Sequence, residues 1–129
     1  MWLDCGDFTT GGELMDGPAS VVEFAVFQQI DVRVGRVSSA EPAEGCRVPA
    51  YKLVIDFGPA IGTRRSIAQA TNYPRESLVG RQVLAVVNFK PRQVGKHTSE
   101  VLLLGVPTQD KGTALAVPEM EAIVGGRLF

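Results

Sequence analysis

Residues 51–57 have the sequence Tyr-Lys-Leu-Val-Ile-Asp-Phe, and residues 81–89 have the sequence Arg-Gln-Val-Leu-Ala-Val-Val-Asn-Phe. Apolar and polar side chains alternate along the first stretch, as expected of a strand that buries one face. The second stretch is almost continuously apolar, which predicts a strand that is buried on both faces. Both stretches therefore predict strands at the centre of a β-sheet.

Further strands are predicted on either side of these two stretches. They cover residues 30–37, with one irregularity near Gly35, and residues 64–71, 99–106 and 113–117. Pro74 is predicted to open a short helical turn that runs through Leu78. Five of these short strands, with one small helix between the third and the fourth, predict an all-β OB-fold, which is a five-stranded Greek-key barrel.

The two ends of the chain differ from this central pattern. Residues 1–20 are glycine-rich and aperiodic, so we expect a flexible N-terminal extension, followed by one domain over residues 21–129. A short N-terminal helix is predicted over residues 19–29. The ends carry more apolar side chains than a small barrel needs, so we expect the terminal extensions to form a homodimer interface. A monomer with both termini folded onto the barrel is the alternative. The apolar terminal residues are Phe24, Val26, Phe27, Ile123, Val124, Leu128 and Phe129.

Composition limits the class of protein. The chain has 129 residues, 45% hydrophobic and 21% charged, which is typical of one soluble domain. No stretch is long and apolar enough to insert into a membrane, and the first 20 residues include four acidic and no basic residues, unlike a signal peptide. We therefore expect a cytoplasmic protein. Cys5 and Cys46, the two cysteines, are expected to be free thiols.

Residues suited to catalysis are scarce. His97 is the single histidine, and no acid lies near it in sequence to orient it as a base for a nucleophile. Phosphate-loop, dinucleotide-binding and zinc-protease motifs are absent from the sequence. We therefore predict that the protein is not an enzyme and that it uses no cofactor and no metal ion.

Charge is distributed unevenly along the chain. Residues 1–32 contain six acidic residues and no Lys or Arg, whereas residues 33–100 contain eleven basic and five acidic residues. Such a basic segment favours a polyanion as partner, with loop solubility as the alternative. The bases lie at Arg64 and Arg65, which open one predicted strand, and at Lys90, Arg92, Lys96 and His97 in a predicted loop over residues 91–98, flanked by Asn88 and Ser99.

Aromatic side chains that could stack on unpaired bases are few. The candidates are Tyr51, Phe57, Tyr73 and Phe89, and strand alternation is expected to bury some of them. This scarcity favours recognition of the shape of a folded RNA over binding of a single strand by stacking.

Several linked motifs resemble the tRNA-binding domain that is appended to some aminoacyl-tRNA synthetases. They are residues 30–37 (Ile-Asp-Val-Arg-Val-Gly-Arg-Val), 78–83 (Leu-Val-Gly-Arg-Gln-Val), 86–91 (Val-Val-Asn-Phe-Lys-Pro) and 99–103 (Ser-Glu-Val-Leu-Leu). Residues 47–58 and the Ser-Ile-Ala-Gln-Ala-Thr stretch at 66–71 are similar to the CsaA family, the free-standing bacterial members that are described as export-related chaperones.

The resemblance implies an OB-fold homodimer that binds tRNA and unfolded or preprotein polypeptides. It places Asn88, Lys90, Arg92, Ser99 and Glu100 in the tRNA-binding motif, with Glu100 expected to orient neighbouring bases or a backbone amide. Arg36, Arg64 and Lys96 complete the predicted tRNA-binding set. Ser66 and Gln69 lie on the strand that is characteristic of the CsaA family, and together with Phe57 and Phe89 they form the predicted polypeptide-binding set.

Two alternative functions remain open at this point. One is a dedicated polypeptide-binding secretion chaperone whose basic rim is incidental. The other is a small-molecule-binding β-barrel. The strong dependence of phosphate binding on salt separates RNA binding from apolar capture of polypeptides.

Overall fold

The longest strand, β1 (Val32–Pro42), organises the barrel in the computed structural model, which describes residues 17–129. The first half of β1 pairs with β4 (Gln82–Val86), and its second half pairs with β2 (Tyr51–Asp56). The register shifts between Val37 and Ser39, which marks a bulge in the second half. This change of partner lets one curved strand belong to both sides of the barrel.

The remaining elements complete one sheet and two hairpins. The other strands are β3 (Thr63–Ala68), β5 (Arg92–Val94), β6 (His97–Ser99), β7 (Leu102–Leu103), β8 (Gly105–Pro107) and β9 (Thr113–Leu115), and the helices are α1 (Phe24–Gln28) and α2 (Arg75–Leu78). The sheet has the order β3-β2-β1-β4-β7, while β5 pairs with β6 and β8 pairs with β9. All strand pairs are antiparallel.

The two edges of the sheet approach each other where β3 meets the chain after β6. The Glu100 N–H donates to the Arg65 carbonyl oxygen at 2.8 Å, and the Ile67 N–H donates to Ser99 Oγ at 3.1 Å. These bonds nearly close the barrel around an apolar core. The core includes Val37, Leu53, Ile55, Phe57, Leu78, Val83, Val101 and Leu103. The predicted OB-fold is confirmed.

Gly35 is required by close packing inside β1. A Cβ atom at this position would lie 2.4 Å from Ile55 Cγ2 and 2.7 Å from Phe57 Cε1. The irregularity that the sequence places near Gly35 is therefore a packing constraint, and the actual register shift lies further along β1.

Several predicted boundaries differ from the observed ones. The helix α1 is shorter than the predicted range 19–29, and residues 91–98, predicted as a loop, contain most of the β5–β6 hairpin. The predicted strand 99–106 is divided, because β7 pairs with β4 while β8 pairs with β9. The short helix after Pro74 is confirmed as α2.

The prediction of free thiols is wrong for Cys46, which is disulfide-bonded. Distance along the chain could not reveal this, because disulfide formation depends on the separation of two cysteines in the fold. Cys5 lies outside the described residues, as does most of the predicted extension over residues 1–20. Neither helix within residues 17–129 is long and apolar enough to cross a bilayer.

Candidate nucleic-acid interface

The β5–β6 hairpin projects basic side chains from the outer face of the sheet. Arg92 pairs with Ser99 and Val94 pairs with His97, which leaves Gly95 and Lys96 as a two-residue turn. Gly95 has a φ of 61°, a conformation that glycine adopts readily at the first position of such a turn. The predicted basic loop is thus an ordered hairpin.

A small apolar cluster supports this hairpin from below. Val94 is buried together with Ala43, Ala50 and Ile67, and Cys46 packs against them. Ile67 belongs to β3 and the other contacts belong to the loop between β1 and β2, so the cluster joins the hairpin to two parts of the barrel. The polar side chains above it therefore rest on a packed base.

His97 connects the hairpin to the same loop. Its Nε2 lies 2.8 Å from the carbonyl oxygen of Glu44, so in the tautomer that carries hydrogen on Nε2 the ring donates this bond. The Lys96 side chain passes next to Gly45. The side chain of His97 thus positions the basic hairpin.

Glu100 orients Arg65, which lies at the edge of β3 beside the hairpin. Glu100 Oε1 accepts hydrogen bonds from the Arg65 backbone N–H at 3.0 Å and from Arg65 Nε at 3.2 Å. The Arg65 side chain is 55% exposed, and its terminal nitrogens extend beyond the bonded Nε. These contacts join Glu100 to one neighbouring base and to its backbone amide, and the role of Glu100 in the tRNA-binding set stays a prediction.

The same contacts control the ionisation of Glu100. Partial burial opposes the charged form, but the hydrogen bonds from Arg65 and the positive charges of Arg65 and Arg64 outweigh it, so the pKa of Glu100 lies below its ordinary value. The carboxylate is therefore charged at neutral pH, and it acts as a fixed acceptor for the basic side chain beside it.

The structure brings only part of the predicted tRNA-binding set together. Arg92, Lys96, Ser99 and Glu100 lie on or next to the hairpin, and the exposed Lys90 precedes it. Ser99 is buried, and its hydroxyl donates to the Val101 carbonyl oxygen and accepts from the Ile67 N–H. Ser99 therefore supports the hairpin from inside and presents no surface for direct RNA contact.

Three predicted members of that set are engaged elsewhere. Arg36 forms an ion pair with Glu121 and donates to the Gly80 carbonyl oxygen. Arg64 donates to the Ile61 carbonyl oxygen. Asn88 Oδ1 accepts from the Asp31 N–H at 2.9 Å, and its Nδ2 donates to the Gln29 carbonyl oxygen at 2.8 Å.

The predicted polypeptide-binding set is mostly internal. Phe57 is 1% exposed and Ser66 is fully buried, with its hydroxyl bonded to the Val101 carbonyl oxygen. Both side chains face the barrel interior, so neither can form the wall of a surface groove, which corrects that prediction. Gln69 is nearly buried beside a cavity of about 220 Å³, and Phe89 is 39% exposed.

Three surface residues of this region are missing from the two predicted site sets: Arg65, Lys52 and His97. The sequence has arginine at both 64 and 65. Because strand side chains alternate between faces, only Arg65 lies beside Glu100. Lys52 lies opposite Ile67 in β3 and opposite Glu41 in β1, which places it on the outer face near the hairpin. The strand pattern fixes the face of Lys52, but the position of the hairpin over that face required the structure.

The second distinct surface is apolar and lies at the ends of the chain. The tail pairs with β1, since the Val34 N–H donates to Gly126 and the Leu128 N–H donates to Val32. A cavity of about 410 Å³ there includes Phe24, Phe27 and Phe129, and another of about 470 Å³ includes Ile123 and Leu128. We call Phe24, Phe27, Ile123, Leu128 and Phe129 the terminal surface.

We call Arg65, Lys90, Arg92, Lys96 and His97 the hairpin surface. Within residues 17–129, no group of three or more His, Cys, Asp and Glu side chains is placed to hold a metal ion. The hairpin surface instead offers cations around an ordered turn, an arrangement that suits the oxygens of a phosphate backbone.

Comparison with known proteins agrees with this arrangement. Residues 32–127 match the family described as "Putative tRNA binding domain". A CsaA chaperone protein from Picrophilus torridus is 38% identical, with a TM-score of 0.81 over 84% of this chain and 100% of that one. Chaperone CsaA from Bacillus anthracis is 40% identical, with a TM-score of 0.80 over 85% of this chain and 100% of that one.

A longer relative has the same region as a small part of its length. Methionine–tRNA ligase from Bdellovibrio bacteriovorus is 36% identical over 115 residues, which are 88% of this chain and 16% of that protein. This chain therefore spans about a sixth of that ligase. From the family match and the full coverage of both CsaA structures, the chain belongs to the tRNA-binding domain family and is a domain of the CsaA type.

Proposed function

We propose that this protein binds folded tRNA through the hairpin surface and that it does so without catalysis. The observation that carries the proposal is the ordered β5–β6 hairpin, which carries Arg92 and Lys96, follows Lys90 and is succeeded by Glu100, the residue bonded to Arg65. Lys and Arg bind phosphates and release condensed counterions, which gives affinity without base-specific contacts. The family to which the chain belongs supports RNA as the polyanion.

The accessible aromatic side chains support a folded RNA over an extended strand. Of the four aromatic candidates, Phe57 is buried and Tyr51 is half-buried with its hydroxyl bonded to the Tyr73 carbonyl oxygen. The Tyr73 ring is half-buried and covered by the Arg81 guanidinium, 5.3 Å from the ring centroid. Phe89 alone among the four offers an exposed ring. A continuous stacking platform for successive bases is thus not supported.

The terminal surface supports a homodimer as the working form. Ile123 and Phe129 are highly exposed, and together with Phe24 they form an apolar patch of the kind that marks protein interfaces. A two-fold dimer would cover the same patch on both copies. It would also present two hairpin surfaces to one tRNA, which raises the overall affinity without enlarging either site.

Polypeptide binding is a second candidate function, and the two CsaA structures favour it because both proteins carry the name chaperone. In this chain the exposed Phe89 and the cavity beside Gln69 remain as candidates for contact with an unfolded or exported polypeptide. Apolar capture of this kind depends little on salt, in contrast to phosphate binding.

The cytoplasm is the compartment in which tRNA is found, and we infer it as the location of this protein. The disulfide at Cys46 is a feature more typical of oxidising compartments. Thiol labelling of the protein purified without oxidation tests this inference directly. Labelling of Cys46 supports a reducing location, whereas protection until a reductant is added contradicts it.

The proposed function is tested by titration of the purified protein with bulk folded tRNA at about 50 and about 200 mM salt, where multiple phosphate contacts predict at least a tenfold loss of affinity. A reduced, unfolded polypeptide serves as competitor. Tight, salt-sensitive binding of tRNA supports RNA recognition. Absence of tRNA binding, together with salt-insensitive capture of the polypeptide, makes the chaperone function primary and the basic hairpin incidental.

A further inference from the structure

A cleft of about 330 Å³ opens between the β5–β6 hairpin and the strands β1 and β2. The size reaches the lower end of the range for small-ligand pockets, which is about 300–1,000 Å³. The cleft contains charged groups of both signs, which distinguishes it from the rest of the hairpin surface. Its lining residues are Glu41, Pro42, Glu44, Lys52, Lys96 and His97.

The strand register places opposite charges on the floor of this cleft. Glu41 of β1 lies directly opposite Lys52 of β2. Among residues 17–129, however, no ion pair joins these two side chains. The carboxylate and the ammonium group are therefore both available to a ligand.

The upper wall of the cleft comes from the hairpin and is held in place. His97 is bonded through Nε2 to the Glu44 carbonyl oxygen at 2.8 Å, and Lys96 lies next to Gly45. The imidazole ring thus has a fixed position in this wall, and the exposed Lys96 also lines the cleft. This wall is continuous with the cations of the hairpin surface.

A surface that bound only phosphates would gain nothing from carboxylates in this position, because they repel a polyanion. Carboxylates do accept hydrogen bonds from the exocyclic amines of bases, while ammonium groups donate to phosphate and carbonyl oxygens. A single nucleotide with its base turned out of a helix offers both sets of partners. Cytosine and adenine each carry an exocyclic amine on the Watson–Crick edge, and uracil carries a carbonyl there.

We propose that this cleft binds one unpaired nucleotide of the RNA, with the phosphate on Lys52 and Lys96 and an amine-bearing base on Glu41. The proposal rests on the proposed function, because it assigns a base-recognising subsite beside the phosphate-binding hairpin. It predicts that the protein prefers unpaired cytosine and adenine to uracil.

The experiment measures competition of poly(C), poly(A) and poly(U) against labelled bulk tRNA, with the wild-type protein and the variants Glu41→Ala and Lys52→Gln. Glu76→Ala on α2 and Lys111→Gln are matched controls, since both side chains are exposed and lie outside the cleft. We expect Glu41→Ala to lower the affinity for poly(C) and poly(A) about threefold or more. The affinity for poly(U) should stay the same or increase. Lys52→Gln should lower the affinity for all three polymers. It should also lower the slope of log affinity against log salt concentration by about 0.7–0.9.

Three outcomes would overturn the proposal. One is an equal increase in affinity for every polymer in Glu41→Ala, which would show a carboxylate that only repels RNA. Another is a wild-type protein that does not discriminate among the polymers. The third is an unchanged salt slope in Lys52→Gln. Failure of the proposed function looks different, because the wild-type protein would then not bind the labelled tRNA at all.

Discussion

The hairpin surface and the terminal surface are joined to the same barrel in opposite ways. The hairpin rests on a four-residue apolar cluster and is held by side-chain bonds such as those of His97 and Ser99, while Arg65, Lys90 and Lys96 are exposed. The tail is held by backbone bonds to β1, while its apolar side chains remain exposed. We therefore expect that charge can be removed from the hairpin surface, and apolar area from the terminal surface, without loss of the fold that supports each.

The largest expected effect is loss of the proposed dimer when charge is placed on the terminal surface. The double variant Ile123→Asp/Phe129→Asp should convert the protein to monomers, because two copies would have to bury four carboxylates in one interface. Size-exclusion chromatography with light scattering measures this change. Val106→Asp is the matched control, since Val106 is an exposed apolar residue outside the terminal surface. An unchanged dimer in the double variant would place the interface elsewhere.

Substitution is preferable to truncation for this test. Removal of residues 123–129 would also remove the hydrogen bonds from Val34 and Leu128 that cover the edge of β1. An exposed strand edge promotes aggregation, so a truncated protein could lose solubility for a reason unrelated to the dimer.

The next effect concerns Glu100, whose carboxylate holds Arg65 on the hairpin side of the barrel. Glu100→Gln should lower tRNA affinity about three- to tenfold, because the charge-assisted bond that orients Arg65 is lost. A carboxylate with no positioning role would produce the opposite result, since its removal lowers repulsion of RNA. A double-mutant cycle of Glu100→Gln and Arg65→Ala, with tRNA affinity as the measured quantity, separates these outcomes. In the Arg65→Ala background the effect of Glu100→Gln should disappear.

Substitution of Asn88 is expected to give a smaller effect, on stability. Asn88→Ala removes the bonds to the Asp31 N–H and the Gln29 carbonyl oxygen, at a cost of about 1 kcal/mol. Thermal unfolding should show a decrease in Tm of about 3–6 °C. Affinity for tRNA should change little in a protein that remains folded. A large loss of affinity with an unchanged Tm would show instead that Asn88 contacts RNA directly.

The smallest predicted effect is a pH dependence of stability. Because the pKa of Glu100 in the folded protein lies below its ordinary value of 4.5, the charged carboxylate stabilises the fold above that value. This contribution is lost as pH falls below 4.5 and through the folded-state pKa. The difference in Tm between the wild-type protein and Glu100→Gln should therefore narrow as the buffer is taken from pH 6 to pH 3. A constant difference would show that the charge of Glu100 does not stabilise the fold.

Sequence reasoning predicted the barrel well because its signals are local. The alternation at residues 51–57 and the apolar run at 81–89 predicted β2 and β4, and Pro74 marked α2. The sequence-based predictions were wrong where the structure of a segment depends on which distant segment it pairs with. Residues 99–106 form two strands because their partners differ, and Cys46 forms a disulfide that no spacing rule predicts.

The residues of the candidate site were likewise predictable only where local sequence determines their position. Lys90, Arg92 and Lys96 were predicted as site residues from composition and motif. The burial of a side chain was harder to predict, as Ser66 within β3 and Phe57 directly after β2 show, since both are buried. The choice between Arg64 and Arg65 depended on one residue of register, which the contact with Glu100 reveals.

The central claim is that the hairpin surface neutralises tRNA phosphates, and the salt slope of tRNA affinity tests it most directly. The measurement compares the wild-type protein, the variant Lys90→Ala/Arg92→Ala/Lys96→Ala and the control Arg75→Ala/Lys111→Ala, whose cations lie outside that surface. The slope should fall by about 2–3 in the hairpin variant, with an unchanged Tm, and should stay near the wild-type value in the control. An identical slope in all three proteins would contradict the central claim.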